Sequence, residues 1–232
     1  MSGRTGIVTG ASSGIGRAVA EALAGAGDRL AVVARGAAGL DTVARTTGAV
    51  PLSADVTDPD AVAALADRFG VALGAAAPDY VVHCAGNFSL APFAETSPRD
   101  FRAMLETNLL GSFLVIRAFL PGMLAAGRGR MVLMGSVAGR RAFRGNAAYA
   151  ASKYGLRGLF EVLALETADT GVECTLVEPA ATATPLWDGV GGGDVPDRDA
   201  MLAPADVAEA VSWLLGRPAH VRIPYLPIAR SA

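Results

Sequence analysis

Cysteine is nearly missing from this chain. Two occur in 232 residues, Cys84 and Cys174, each inside an apolar strand-like stretch (YVVHCAG and VECTLV). A disulfide framework is excluded, and buried free thiols in a reducing compartment are expected. A surplus of charge is missing as well: 20 basic residues face 22 acidic ones, for a formal net charge of −2, with no long run of either sign. Without a basic stripe or an acidic tail, nucleic acid is not an expected partner. Long apolar runs are also absent. The longest stretch free of acidic and basic residues, 80–94, is interrupted by Pro92 and too short to span a bilayer, and no charged segment followed by an apolar one opens the chain. A soluble, cytoplasmic protein with no membrane partner and no metal site is expected.

What is present points to catalysis on a sheet. At 52% hydrophobic the chain can bury a sizeable core, and its 232 residues fit one large domain, 1–232, better than two small ones. Apolar β-branched runs alternate with alanine- and leucine-rich helical patterns: GIVTG, RLAVVAR, GAVPLSA, PDYVVHCAG, RMVLMGS, VECTLVEP and a short strand near VRIPYL. Helices are expected from Gly14, over DPDAVAALADRFG, after Gly86, over 148–170 and over PADVAEAVSWLLG. Continuous apolar strands between helices predict a parallel α/β sheet covered on both faces, with ligands bound beyond the carboxyl ends of its strands. No internal repeat or interdomain linker occurs, and the glycine-rich patch at 189–197 reads as a mobile loop.

The turn TGASSGIG after the first strand sets Gly10, Gly14 and Gly16 at the mouth of the first helix. Without Cβ atoms the backbone can turn sharply and admit a pyrophosphate to the helix N-terminus, so a dinucleotide is expected here. Arg35 ends the second strand, where such sites usually place an acid for the ribose hydroxyls. A cation suits a 2′-phosphate, so NADP is preferred over NAD, against the alternative of a solvated arginine; the residue before Gly14 is Ser13, not a second basic residue. Asp55 can accept from the adenine amino group or cap the following helix.

With these residues in view the sequence resembles the short-chain dehydrogenase/reductase family over nearly its whole length. TGASSGIG, Asn108 in LETNLLG, Ser136 in VLMGS, YAASK at 149–153 and VEPAATATPL stand in the family's order and at its usual separations. The resemblance implies a single doubly wound Rossmann domain of about seven parallel strands and hydride transfer between a nicotinamide cofactor and a carbonyl or alcohol. It implies Tyr149 as acid/base, Lys153 as its tuner, Ser136 as the donor that orients the carbonyl and Asn108 as holder of a proton-relay water. Cofactor contacts are implied for Ser12, Ser13 and Ile15 in the first turn, Val56 beside Asp55, and Ala85 and Gly86 after the fourth strand. Pro179, Thr182 and Thr184 after the sixth strand join them, with Tyr149 and Lys153. A homodimer or homotetramer is implied too. Two positions depart from the family: His83-Cys84-Ala85-Gly86 replaces polar amides that tie neighbouring strands, and Ala180 replaces a glycine beside the nicotinamide.

The chemistry follows from the spacing. Residues i and i+4 share a helix face, so Tyr149 and Lys153 project together, and a phenol that titrates near about pH 10 needs that neighbouring cation to work at neutral pH. Tyr154 lies about 100° around the helix and reads as packing or interface. His83 reads as a structural histidine. Arg140, Arg141 and Arg144 can attract an anionic substrate, but a solvated or intersubunit loop is the expected reading. Residues 185–203 form the expected substrate lid, in which Trp187 covers an apolar ligand and Gly189, Gly191, Gly192 and Gly193 ease rearrangement. An NADP-dependent carbonyl reductase or alcohol dehydrogenase for a small or medium, mostly apolar substrate is the leading expectation. A catalytically inactive dinucleotide-binding regulator is the alternative, and an epimerase or dehydratase finds little room for its usual extra C-terminal domain.

Overall fold

Seven β-branched runs become the seven strands of one parallel sheet. The computed structural model describes residues 3–190 and 195–231. In chain order the elements are β1 (Thr5–Thr9), α1 (Gly14–Gly25), β2 (Arg29–Ala34), α2 (Ala37–Thr47), β3 (Val50–Ser53), α3 (Pro59–Leu73) and β4 (Tyr80–His83). There follow α4 (Pro98–Leu105), α5 (Gly111–Ala126), β5 (Gly129–Met134), α6 (Ala147–Glu166), β6 (Val172–Pro179), α7 (Pro204–Leu215) and β7 (Tyr225–Ile228). The strand order is β3-β2-β1-β4-β5-β6-β7. The chain walks outward from β1 to β3, then returns to lay β4 on the other side of β1, in register from Gly6 opposite Tyr80 to Thr9 opposite His83. That reversal opens a crevice at the carboxyl ends of β1 and β4.

Alternation along each strand divides the core in two. Ile7, Val81, Met131 and Leu133 face α3, α5 and α6, while Val8, Val32, Val82 and Val132 face α1, α2 and α7. Both faces are covered over the central strands, so β1 and β4 are buried almost throughout.

Three local features differ from the sequence expectation. Helix α2 went unread because GLDTVARTT mixes glycine with threonines of weak helix propensity, yet Leu40 and Val43 are buried beneath it. Helix α6 stops at Glu166, short of 170, where the Thr167 hydroxyl donates to the Leu163 carbonyl at 2.9 Å and competes with the backbone ladder. The long helix after β4 is divided by a π turn, Glu106–Leu110, between α4 and α5. The whole segment, Pro98–Ala126, is long enough to cross a membrane, and an 18-residue window within it is apolar enough, with a mean hydropathy of 1.8. Arg117 conceals it from a search for charge-free runs. Leu114, Val115, Ile116, Phe119 and Met123 are nevertheless buried in the core, which makes it a covering helix of the sheet.

Candidate active site

The crevice is a cavity of about 1050 Å³, large for a ligand site and with room for more than one small molecule. One wall is the turn from β1 into α1. Gly10 is left-handed (φ 66°), and a Cβ there would lie 2.6 Å from the Ala85 amide nitrogen; a Cβ on Gly16 would fall 2.3 Å from the Gly10 carbonyl. Only bare backbone fits. Ser13, at the N-cap of α1, makes no side-chain capping bond, so the first amides of the helix are left for a ligand. These features fit the pyrophosphate of a dinucleotide.

The opposite wall carries the titratable groups. Tyr149 and Lys153 sit one turn apart on α6, with the Lys153 nitrogen 5.6 Å from the centre of the Tyr149 ring. Burial pushes the Tyr149 hydroxyl up to about 12, with Ser136 pulling the other way. Burial also brings the Lys153 ammonium down to about 8, opposed by Cys84. Lys153 Nζ donates to the Met134 carbonyl at 2.8 Å, which fixes the amine and leaves two of its donors free. Ser136 follows β5; its Oγ accepts from the Ala138 amide at 3.1 Å, so its own proton is free to point elsewhere.

Asn108 stands behind this wall, 1% exposed, inside the π turn. Its Oδ1 accepts from the Asn87 amide at 2.7 Å, and its Nδ2 donates to the Asn87 carbonyl and to Ser152 Oγ, both at 2.9 Å. Ser152 in turn donates to the Tyr149 carbonyl at 2.7 Å. The side chain thus staples the segment after β4 to the turn of α6 that bears Tyr149. The wide turn leaves the Asn108 carbonyl to accept from the Ser112 hydroxyl at 2.7 Å.

His83 keeps β1 and β4 tied despite the missing amide. Its Nδ1 lies 2.7 Å from Thr9 Oγ1, while Nε2, fully buried, has no partner among the described residues. Burial, with Lys153 nearby, brings its pKa down to about 3. Between the ordinary value of 6.5 and about 3 the unfolded chain takes up a proton that the folded chain refuses. Stability from this group is therefore present above 6.5 and lost as pH falls through that window, with a slope of up to about 1.4 kcal/mol per pH unit. His83→Asn should flatten the acid side of the melting-temperature profile. Parallel profiles for the two proteins would place the lability in another group.

Gly10, Ser12, Ser13, Gly14, Ile15, Gly16, Arg35, Asp55, Val56, Ala85, Gly86, Ser136, Tyr149, Lys153, Pro179, Thr182 and Thr184 all line this one cavity; Asn108 does not. Asp55 is no helix cap: Oδ1 accepts from the amide and hydroxyl of Thr57, and Asp58 caps α3. Cys84 and Cys174 are free thiols, but Cys84 is only half-buried and borders the cavity. Trp187 is held at the rim, its indole N–H donating to the Thr182 carbonyl at 3.0 Å. Gly191, Gly192 and Gly193 of the expected lid lie outside the described residues. Sequence reading passed over Asn87, Ser152 and above all Phe88, whose ring sits 4.8 Å from Tyr149 and 4.7 Å from Trp187. Nothing in the NFSL stretch signals Asn87 or Phe88, because their contacts depend on where α6 and the 185–190 segment come to rest.

A doubly wound sheet with a glycine turn at its switch point and a Ser, Tyr, Lys wall defines a dinucleotide-dependent oxidoreductase. The profile of the short chain dehydrogenase family matches residues 4–192, and the chain belongs to that family. It is 38% identical over 201 residues to D-threitol dehydrogenase of Mycolicibacterium smegmatis, covering 83% of this chain and 76% of that one. It is 35% identical over 232 residues to glycine betaine reductase ATRR of Emericella nidulans, covering 95% of this chain; the match spans 18% of that much longer protein. Among solved structures, the alcohol dehydrogenase of the archaeon Thermococcus sibiricus, complexed with 5-hydroxy-NADP, superposes with a TM-score of 0.86 at 29% identity, over 97% of this chain and 95% of that one.

Proposed function

We propose that the protein is an NADPH-dependent reductase of ketones or aldehydes. The observation that carries it is the convergence of Ser136, Tyr149 and Lys153 on the cavity that the glycine turn opens, where the Tyr149 hydroxyl is placed to give its proton to the oxygen of a reduced carbonyl. A nicotinamide cofactor, when bound along the glycine turn, supplies the hydride. Ser136 donates its free proton to the substrate oxygen and orients it. Lys153, with two unused donors, holds the nicotinamide ribose and steadies the phenolate left after proton transfer. Asn108 keeps Tyr149 in place through Ser152.

Arg35 supports NADPH over NADH. It lines the adenosine end of the cavity, exposed and without a side-chain bond among the described residues, and the Thermococcus sibiricus relative carries an NADP derivative. Arg35→Asp should lower the ratio of kcat/KM for NADPH to that for NADH by at least about tenfold, since it replaces attraction of a 2′-phosphate by repulsion. An unchanged ratio would show that Arg35 only faces solvent. The general test is consumption of NADPH with a panel of aldehydes, ketones and diketones; absence of turnover with all of them removes the proposal. On this reading the chain works as one cytoplasmic domain with residues 185–203 over the substrate. It pairs as a homodimer or homotetramer through α5 and α6, whose Phe113, Leu124, Tyr154 and Leu165 are exposed.

A further inference from the structure

The far end of the cavity holds more positive charge than a cofactor uses. The β5–α6 connection brings Arg140, Arg141, Phe143 and Arg144 into the lining, and Asp55 is the only acid among the described lining residues. Asp55 belongs to the β3 edge. The arginines follow β5, two strands beyond β1 and three beyond β2 in the sheet order. At about 4.8 Å per strand, the end of β5 from which they depart lies roughly 10 Å across the sheet from the end of β1 and 14 Å from the end of β2. They follow a different strand from the glycine turn and from Arg35, the two expected phosphate contacts of the dinucleotide.

Their neighbours distinguish them further. The Arg140 guanidinium lies 3.8 Å from the buried carboxylate of Glu178, which Arg157 also binds at 2.8 Å. Arg141 stacks 5.4 Å over the Phe143 ring, and neither it nor Arg144 has a carboxylate partner among the described residues. The loop is not free to swing. The Ala91 amide donates to the Gly145 carbonyl at 2.9 Å, and Ala91 bridges Asn146, so the arginines are pinned to the segment that carries Phe88. The same cavity is lined by the apolar rings of Phe88, Trp187 and Phe143, with Phe88 packed 4.8 Å from Tyr149 and 4.7 Å from Trp187.

We infer that Arg141 and Arg144 form an anion subsite, and that the substrate is a carbonyl compound bearing a carboxylate or phosphate separated from the carbonyl by an apolar stretch. This rests on the reductase reading given above and specifies its substrate class. An anionic tail entering past Phe143 meets two unpaired guanidinium groups, while the apolar stretch lies against the aromatic rings.

The test uses methyl ketones of increasing chain length ending in a carboxylate, its methyl ester or a phosphate monoester. Calorimetric titration into the NADP-loaded enzyme and NADPH consumption are run in parallel. An anion should bind about tenfold or more tighter than its ester at the best chain length, and the margin should shrink as salt rises. The carboxylate and phosphate arms identify which anion is taken. In the Arg141→Gln/Arg144→Gln enzyme the ratio of anion to ester, read within that enzyme so that general effects cancel, should approach one. Equal binding of anion and ester by the parent enzyme, or a preference that survives both substitutions, overturns the subsite. Preferential anion binding without turnover instead upholds the subsite and overturns the reductase reading.

Discussion

A Tyr149→Phe enzyme is expected to bind NADPH as the parent does and to turn over at least about a hundredfold more slowly, the lower end of what a positioned acid contributes. The split between the two effects follows from how the side chain is held. Its ring meets Phe88 edge-on at 4.8 Å, a contact that phenylalanine preserves. Lys153 is anchored on the Met134 carbonyl rather than on the phenol, so loss of the hydroxyl leaves the amine where it was. Only the transferable proton disappears. Single-turnover kinetics with a saturating ketone, beside NADPH affinity by fluorescence, separate chemistry from binding. Near-parental turnover would remove Tyr149 from its role.

Gly10→Ala should damage folding and cofactor affinity together. The residue is left-handed, which costs a side chain about 1–2 kcal/mol. Its new methyl would also meet the Ala85 nitrogen at 2.6 Å, the Cys84 carbonyl carbon at 2.7 Å and the Ala85 Cα at 2.8 Å, all backbone. None of these is the end of a flexible side chain, so the first turn and the end of β4 must part, and the cavity walls part with them. A fall of several degrees in melting temperature, at about 2–4 °C per kcal/mol for a chain of this size, is expected with a loss of at least about tenfold in NADPH affinity. Gly25→Ala is the control, because nothing stands within 4 Å of a Cβ in that exposed helical turn. Unaltered melting and affinity in the Gly10 variant would mean that the crevice tolerates the shift.

The parts of this architecture legible in the sequence are those governed by local period and local steric need. Strands buried on both faces read as β-branched runs, and the sharp turn at Gly10 reads as glycine. Tyr149 and Lys153 read as a pair because a helix fixes their relative direction. Elements held by tertiary contact were not legible: α2 has weak intrinsic preference and forms over the sheet that Leu40 and Val43 cover. Phe88 acquires meaning only when Tyr149 and Trp187 arrive from elsewhere in the chain. For the arginine loop the sequence left attraction of an anion beside a solvated or intersubunit role, because it gives the charge of 140–144 but not the cavity they border. Asn108 was legible as a residue, but its bonds to Asn87 and Ser152 depend on a π turn that no residue pattern announces.

That turn lets the segment Pro98–Ala126 change the face it presents along its length. In an unbroken α-helix one face would serve a single neighbour, but here α4 packs on α6 while α5 packs on α3. One additional residue per turn dephases the two halves by about 100° and lets a single rod address both. Most of the chain's connections can gain or lose residues at little cost. This stretch cannot: removing one residue from 106–110 would rewind the turn, rotate Pro98–Leu105 off α6 and withdraw Asn108 from Asn87 and Ser152 in the same motion. Its length is thus set by two packing partners at once, α6 for one half and α3 for the other.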